Sequence, residues 1–156
     1  MFMGEYDHTA DAKGRLFVPS KFRDELGKKF VVTKGLDGCL FAYGEEEWHR
    51  VEEGIKNLPL SSKNGRQFIR FFFAGAAEVE VDGQGRILLP AKLREYAGIT
   101  KEVVSVGVGT KVEIWSKERY ESVETSFEEM DDLISQGKEL GIYFYMFTGG
   151  EPLVRK

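Results

Sequence analysis

Asp11-Ala-Lys-Gly-Arg15 comes back in the same chain as Asp82-Gly-Gln-Gly-Arg86, and that return decides how the rest is read. At an offset of 71, Asp11, Gly14, Arg15, Pro19, Lys21, Arg23 and Gly27 match Asp82, Gly85, Arg86, Pro90, Lys92, Arg94 and Gly98. Conservative pairs lie between them, such as Leu16 with Ile87 and Phe22 with Leu93. One residue further on, Val31-Val32 meets Val103-Val104 and Tyr43 meets Trp115. A match of this length at a fixed offset marks a duplicated structural unit. The chain is therefore read as two copies of one element.

Each copy begins with a short strand, Glu5 to Ala10 or Ala76 to Val81. In the second of these, Val79 and Val81 alternate with Glu78 and Glu80, the period of a half-buried strand. The Asp-x-x-Gly-Arg that follows is a turn. Its aspartate can accept hydrogen bonds from the next backbone N–H groups, and its glycine can take positive φ. Leu16-Phe17-Val18 and Ile87-Leu88-Leu89 then read as apolar strands, so each copy is expected to open as a β-hairpin with an arginine just past its tip.

Pro19 and Pro90 close those strands and can start helices. The helices span Lys21 to Leu26 and Lys92 to Ala97, with Gly27 and Gly98 as left-handed caps. Further strands are expected at Phe30 to Thr33, Cys39 to Tyr43, Val103 to Val106 and Lys111 to Trp115. Glu45 to Lys56 carries Trp48, Val51 and Ile55 at helical spacing. A helix capped by Ser61 or Ser62 brings Phe68, Ile69, Phe71 and Phe72 toward a core. A last helix, Lys117 to about Gln136, aligns Tyr120, Val123, Phe127, Met130 and Ile134, for its own domain or a partner subunit.

With 42% hydrophobic and 13% aromatic residues, the 156-residue chain can bury a substantial core. The net charge of -4 argues against indiscriminate coating of nucleic acid, but it hides local segregation. The first copy is basic through Lys13, Arg15, Lys21, Arg23, Lys28, Lys29 and Lys34, whereas the acids concentrate in helical segments. A single cysteine, Cys39, excludes an internal disulfide and points to a reducing compartment. No signal peptide is indicated, and no apolar run approaches the ~20 residues of a membrane span. A cytoplasmic protein is expected.

Little here suggests catalysis. Two histidines, His8 and His49, and one cysteine form no ligand cluster of familiar spacing, and no nucleophile–base–orienter set is visible. Gly83-Gln84-Gly85 completes no phosphate loop. No metal, cofactor, small-molecule substrate or enzymatic role is expected. The repeated arginine has two readings. It can form a turn salt bridge with Asp11 or Asp82, an interaction worth only about 0–1 kcal/mol when exposed. It can also pair bidentately with guanine O6 and N7 in the major groove, which admits a two-stranded β-ribbon. Lys13, Lys21 and Arg23 would then hold phosphates, which position a protein without reading sequence. Both readings hold together if the aspartate orients the arginine and DNA takes its remaining N–H groups.

The doubled Asp-x-x-Gly-Arg, each followed by a strand, a proline, a basic residue and a short helix, resembles the SpoVT/AbrB superfamily of swapped-hairpin transcription factors. The opening Met1-Phe2-Met3-Gly4 and the Ala76-x-Glu78 before the second motif are similar to the MraZ family within it. The resemblance covers about Met1 to Gln136. It implies a β-rich α+β fold in which two tandem swapped-hairpin halves form one pseudo-two-fold β-barrel with flanking helices. Residues 5–52 would be the first repeat, 53–75 a helical connector, 76–119 the second repeat, and 120–156 a C-terminal helix and tail.

The resemblance further implies a ring-shaped homo-oligomer associated with the nucleoid. It would bind direct repeats of double-stranded DNA upstream of the division and cell-wall gene cluster, its own gene included. Arg15 and Arg86 would be the DNA-contacting residues, organised by Asp11, Gly14, Asp82 and Gly85. Because Gly83 and Gln84 stand where the first copy has Ala12 and Lys13, the second tip carries less charge. A protein-binding oligomeric scaffold without sequence-specific DNA binding is the alternative. A hydrolase would need a buried carboxylate pair in a deep cleft. For the last sixteen residues, ordered tail, subunit contact and flexible end all stay open.

Overall fold

The computed structural model describes residues 1–124 and 127–139. The first compact unit, Met1–Ser122, is built on strands that alternate with helices. In chain order these are β1 (Phe2–Thr9), β2 (Arg15–Phe17), α1 (Ser20–Leu26), β3 (Lys29–Lys34), β4 (Leu40–Tyr43), α2 (Glu45–Lys56) and α3 (Lys63–Ala74). The second half follows with β5 (Ala77–Glu80), β6 (Arg86–Leu88), α4 (Ala91–Ala97), β7 (Glu102–Gly109), β8 (Val112–Ser116) and α5 (Lys117–Val123). In the second unit the described element is α6 (Phe127–Glu139).

The architecture is mixed α+β, and its strands pair antiparallel throughout. Six of them form one sheet in the order β1-β7-β8-β4-β3-β5, and β2 and β6 make a separate two-stranded ribbon. The described strands do not close the single β-barrel expected from the resemblance: β1 and β5 remain edges of the large sheet. The reason is local. β2 and β6 are three residues each, and Pro19 and Pro90, which have no N–H to donate, stand two residues beyond them, so the ribbon is too short to bridge the edges.

The hairpins expected within each copy also need correction. The turns form, but β1 and β2 share only the bridge between Ala10 and Leu16. The ladders run between copies instead: β1 pairs with β7, β5 with β3, and β2 with β6. In the ribbon, Leu16 faces Ile87, its own counterpart, while Arg15 faces Leu88 and Phe17 faces Arg86. The register is therefore symmetric about the Leu16–Ile87 pair. The flanking bonds repeat the symmetry, Val18 N–H donating to Gly85 O at 2.9 Å and Leu89 N–H to Gly14 O at 3.0 Å.

Two apolar clusters sandwich the large sheet. Strand alternation sends Leu40 and Ala42 of β4 to one face and Phe41 and Tyr43 to the other, which is why the whole strand is buried. On the first face, Leu16, Ile87 and Leu89 pack with Phe22 and Leu26 of α1 and Leu93 and Ala97 of α4. Burying side chains of this size contributes about 1.5–3 kcal/mol each. On the second face, Phe72 of α3, with Trp48, Val51 and Ile55 of α2, covers Cys39, Phe41, Tyr43, Val104 and Trp115. Thr33 Oγ1 donates to Phe72 O at 2.6 Å and fastens α3 to β3.

Helices α1 to α4 lie where the sequence places them. Ser62 caps α3, its Oγ accepting from Gly65 N–H at 3.2 Å. Gly98 takes the left-handed cap expected of it, whereas Gly27 is at φ 83 and ψ 177. The single helix expected from Lys117 to Gln136 is instead two, α5 and α6, with Glu124 outside both. The segment 141–156 lies outside the described residues.

Candidate nucleic-acid interface

Each Asp-x-x-Gly-Arg turn is closed by its own aspartate. In the first, Asp11 N–H donates to Arg15 O at 2.8 Å and Gly14 N–H to Asp11 O at 3.0 Å. Asp11 Oδ1 accepts from the N–H groups of Lys13 and Arg15 at 3.0 and 2.9 Å. Its Oδ2 accepts from Arg15 Nε at 2.8 Å. The second turn repeats this with Asp82 Oδ1 accepting from Gln84 and Arg86 N–H at 2.9 Å, and Oδ2 from Arg86 Nε at 3.1 Å. Both carboxyls are held below their ordinary pKa, first by the backbone N–H of Arg15 or Arg86. They stay ionised and keep each guanidinium pinned through Nε.

This pinning matters because it leaves the two Nη groups of each arginine with no hydrogen bond among the described residues. Neither side chain is sealed: Arg15 is 33% exposed and Arg86 21%. The pairing register puts both on one face of the ribbon. Leu16 and Ile87 point into the core, so Arg15, Phe17, Arg86 and Leu88 share the outward face. The salt bridge and the outward-directed guanidinium thus coexist in the same side chain.

Lys13 is exposed at the first tip and Lys21 on α1. Arg23, the other residue expected at phosphate, lies on α1. Its guanidinium lies against Gly85 in the other copy's turn, and its counterpart Arg94 lies against Gly14. Arg94 Nε also donates to Leu89 O at 3.0 Å. Gly14 and Gly85 have φ of +84° and +78°, and a Cβ on either would overlap the guanidinium beneath. The glycines therefore serve both the turn and this close approach. The 71-residue offset that pairs Arg23 with Arg94 was the available signal for this contact.

The acidic start of α2, Glu45 to Glu47, belongs to the helix that covers the opposite face of the sheet from the ribbon. Around the ribbon, Arg15, Arg86, Arg23, Arg94 and Lys13 stand with Asp11 and Asp82, and α1 and α4 also carry Asp24, Glu25 and Glu95. Cys39 is buried, its thiol pushed up to about 12 by desolvation, and its Sγ donates to Leu36 O at 3.1 Å. His8 shares a 2.7 Å hydrogen bond with Ser105 Oγ, while His49 lies on α2 beside Glu52 at 3.4 Å. Among the described residues, no three His, Cys, Asp or Glu side chains converge on a metal site.

The duplication is also where similarity to known proteins falls. The family model described as "MraZ protein, putative antitoxin-like" matches twice, at residues 1–71 and 72–136. The chain belongs to the MraZ family. A relative named Transcriptional regulator MraZ, from Lachnoclostridium phytofermentans, is 58% identical over 144 residues, covering 92% of this chain and 100% of its own. Relatives of the same name are 65% identical over 118 residues in Carboxydothermus hydrogenoformans and 54% identical over 142 in Clostridium beijerinckii. The first covers 76% of this chain and 82% of its own, the second 91% and 100%. The two MraZ matches meet within α3, at residues 71 and 72, just before the second copy's first strand.

Proposed function

We propose that the chain is a transcriptional regulator that binds double-stranded DNA through the outward face of the β2/β6 ribbon. The observation that carries this reading is the pair of arginines on one face of that ribbon, each oriented by its own aspartate and each with both Nη groups open. A ribbon of two antiparallel strands fits the major groove, where a guanidinium meets guanine O6 and N7. Lys13 and Lys21 hold phosphates beside it, and Arg23 and Arg94 add positive charge while supporting the turns. The exchange of first strands between the copies supports reading the halves as the swapped-hairpin kind. No enzymatic step is assigned.

One subunit with a net charge of -4 and a small basic face binds a single site weakly. A ring of subunits on direct repeats raises the effective concentration of the remaining faces, for a gain of roughly 10²–10⁴-fold. The repeats we assign are those upstream of the division and cell-wall gene cluster, with the protein's own gene among the targets. The location that goes with this reading is the cytoplasm, at the nucleoid.

Gel-shift titration of the duplex upstream of its own coding sequence tests the reading. Wild-type protein is expected to bind it ahead of random competitor and to weaken steeply with salt. Arg15→Ala and Arg86→Ala, checked for fold by circular dichroism and for assembly by native mass, are expected to lose that preference. Binding unchanged in both variants would overturn it, and capture of a protein partner with no DNA preference would favour the scaffold alternative.

A further inference from the structure

Between the two arginines, the ribbon presents two large apolar side chains to solvent. Phe17 is 49% exposed and Leu88 60%, although each is flanked in sequence by buried residues, Leu16 and Val18 or Ile87 and Leu89. In the pairing register Phe17 stands opposite Arg86 and Leu88 opposite Arg15, so the outward face is a quartet with cation and hydrophobe at alternate corners. We propose that Phe17 and Leu88 are specificity-determining residues that contact thymine C5-methyl groups in the major groove, beside the guanines taken by Arg15 and Arg86. This rests on the reading of the ribbon as the DNA-binding face.

The chemistry of the quartet selects this occupant. A matching surface must place hydrogen-bond acceptors and small apolar groups side by side, at the spacing of residues across and along a ribbon. Directly opposed Cβ atoms are about 4.5–5.5 Å apart, and same-face neighbours along a strand about 6.6 Å. The major-groove floor offers guanine O6 and N7 next to thymine methyls, with successive base pairs about 3.4 Å apart along each strand. Arg15 and Phe17, two residues apart on one strand, therefore reach base pairs about two steps apart. The cationic corners give the complementarity to duplex DNA that a purely apolar patch would lack.

The register adds a constraint on the sequence read. Because the ribbon is symmetric about Leu16–Ile87, Arg15 with Leu88 and Arg86 with Phe17 form two equivalent pairs facing opposite ends of the same short site. Each pair takes a guanine with a thymine nearby. A phenyl ring and an isobutyl group are unequal, so the thymine opposite Phe17 and that opposite Leu88 contribute unequally.

The test replaces thymidine by deoxyuridine, which pairs identically and lacks only the methyl. Wild-type protein is titrated against the duplex upstream of its own coding sequence, with one thymidine replaced at a time. Losing one buried methyl contact weakens binding about fourfold, so at least two positions are expected to show that loss and a doubly substituted duplex roughly fifteenfold. Phe17→Ala is expected to abolish the loss at one set of positions and Leu88→Ala at the other. Both are exposed, so folding survives, and circular dichroism with native mass confirms it.

Equal binding of thymidine and deoxyuridine duplexes by wild type overturns the proposal while leaving the arginine reading intact. So does full discrimination retained in both variants. A change of native mass in Phe17→Ala with thymine discrimination preserved makes the face a contact between copies and overturns it as well. Wild type that prefers neither duplex over random competitor fails the DNA reading itself, and the proposal with it.

Discussion

The guanidinium of Arg23, on the helix of the first copy, lies directly beneath Gly85 in the turn of the second. A Cβ built on Gly85 would come within 3.0 Å of Arg23 Cζ and closer still to Nη1, and Arg94 repeats the arrangement under Gly14. Each turn is thus supported from below by the opposite half of the duplication. The apposition forces glycine twice over, since φ is +78° at Gly85 and +84° at Gly14.

Gly85→Ala and Gly14→Ala are expected to lower stability by about 1–3 kcal/mol each, through strained backbone and the displaced guanidinium. Urea unfolding measures this. The double variant Gly85→Ala with Arg23→Ala removes the clash but not the positive φ. It is expected to be more stable than the sum of the two single changes predicts. Strict additivity would show that the two residues do not meet.

The Leu16–Ile87 pair at the ribbon's centre is 1% exposed on both sides and joins the ribbon to α1 and α4. Ile87→Ala is expected to cost about 2–5 kcal/mol, the range for truncating a buried branched side chain. Leu88→Ala, one residue along but exposed, is expected to cost under about 0.5 kcal/mol. Similar losses in both would contradict the alternation assigned to β6.

His8 gives the fold a pH dependence. Burial on β1, beside β7, pushes its pKa down from 6.5 to about 4, opposed by the Asp7 carboxylate, and among the described residues Nδ1 has no hydrogen-bond partner. The folded state resists the proton that the unfolded chain accepts. The contribution is therefore complete above about pH 6.5 and is lost as pH falls toward 4. At about 1.4 kcal/mol per pKa unit, the loss is on the order of 2–3 kcal/mol. His8→Gln removes the titration, so the stability difference between wild type and variant is expected to shrink across that window. A constant difference from pH 7 to pH 4 would contradict it.

The turns were legible because they rest on local chemistry. Asp11 and Asp82 bond to N–H groups within four residues, and Gly14 and Gly85 supply the φ those turns need. Helices α2 and α3 were equally open to reading, since Trp48, Val51, Ile55 and Phe72 recur at helical spacing and do pack together. What stayed hidden was long-range. Nothing near Phe2–Thr9 announces that this strand pairs with Glu102–Gly109 of the other copy, because any β-strand of suitable pattern can accept it.

Phe17 and Leu88 were missed for a related reason. Leu16-Phe17-Val18 is continuously apolar, so periodicity alone does not tell which residue faces solvent. The approach of Arg23 to Gly85 was equally hidden, because the two are 62 residues apart in sequence. The break after α5 was masked by an apolar stripe that continues in register from Tyr120 to Ile134.

The outward arginine pair is tested most directly by methylation protection at guanine N7, the atom a guanidinium would occupy in the major groove. Wild-type protein on the duplex upstream of its own coding sequence is expected to shield specific guanines from dimethyl sulfate. Arg15→Ala is expected to free one subset and Arg86→Ala another, with fold and assembly unchanged. Stable binding with every N7 still reactive, or shielding that survives the loss of both arginines, would contradict the ribbon as the element that reads DNA.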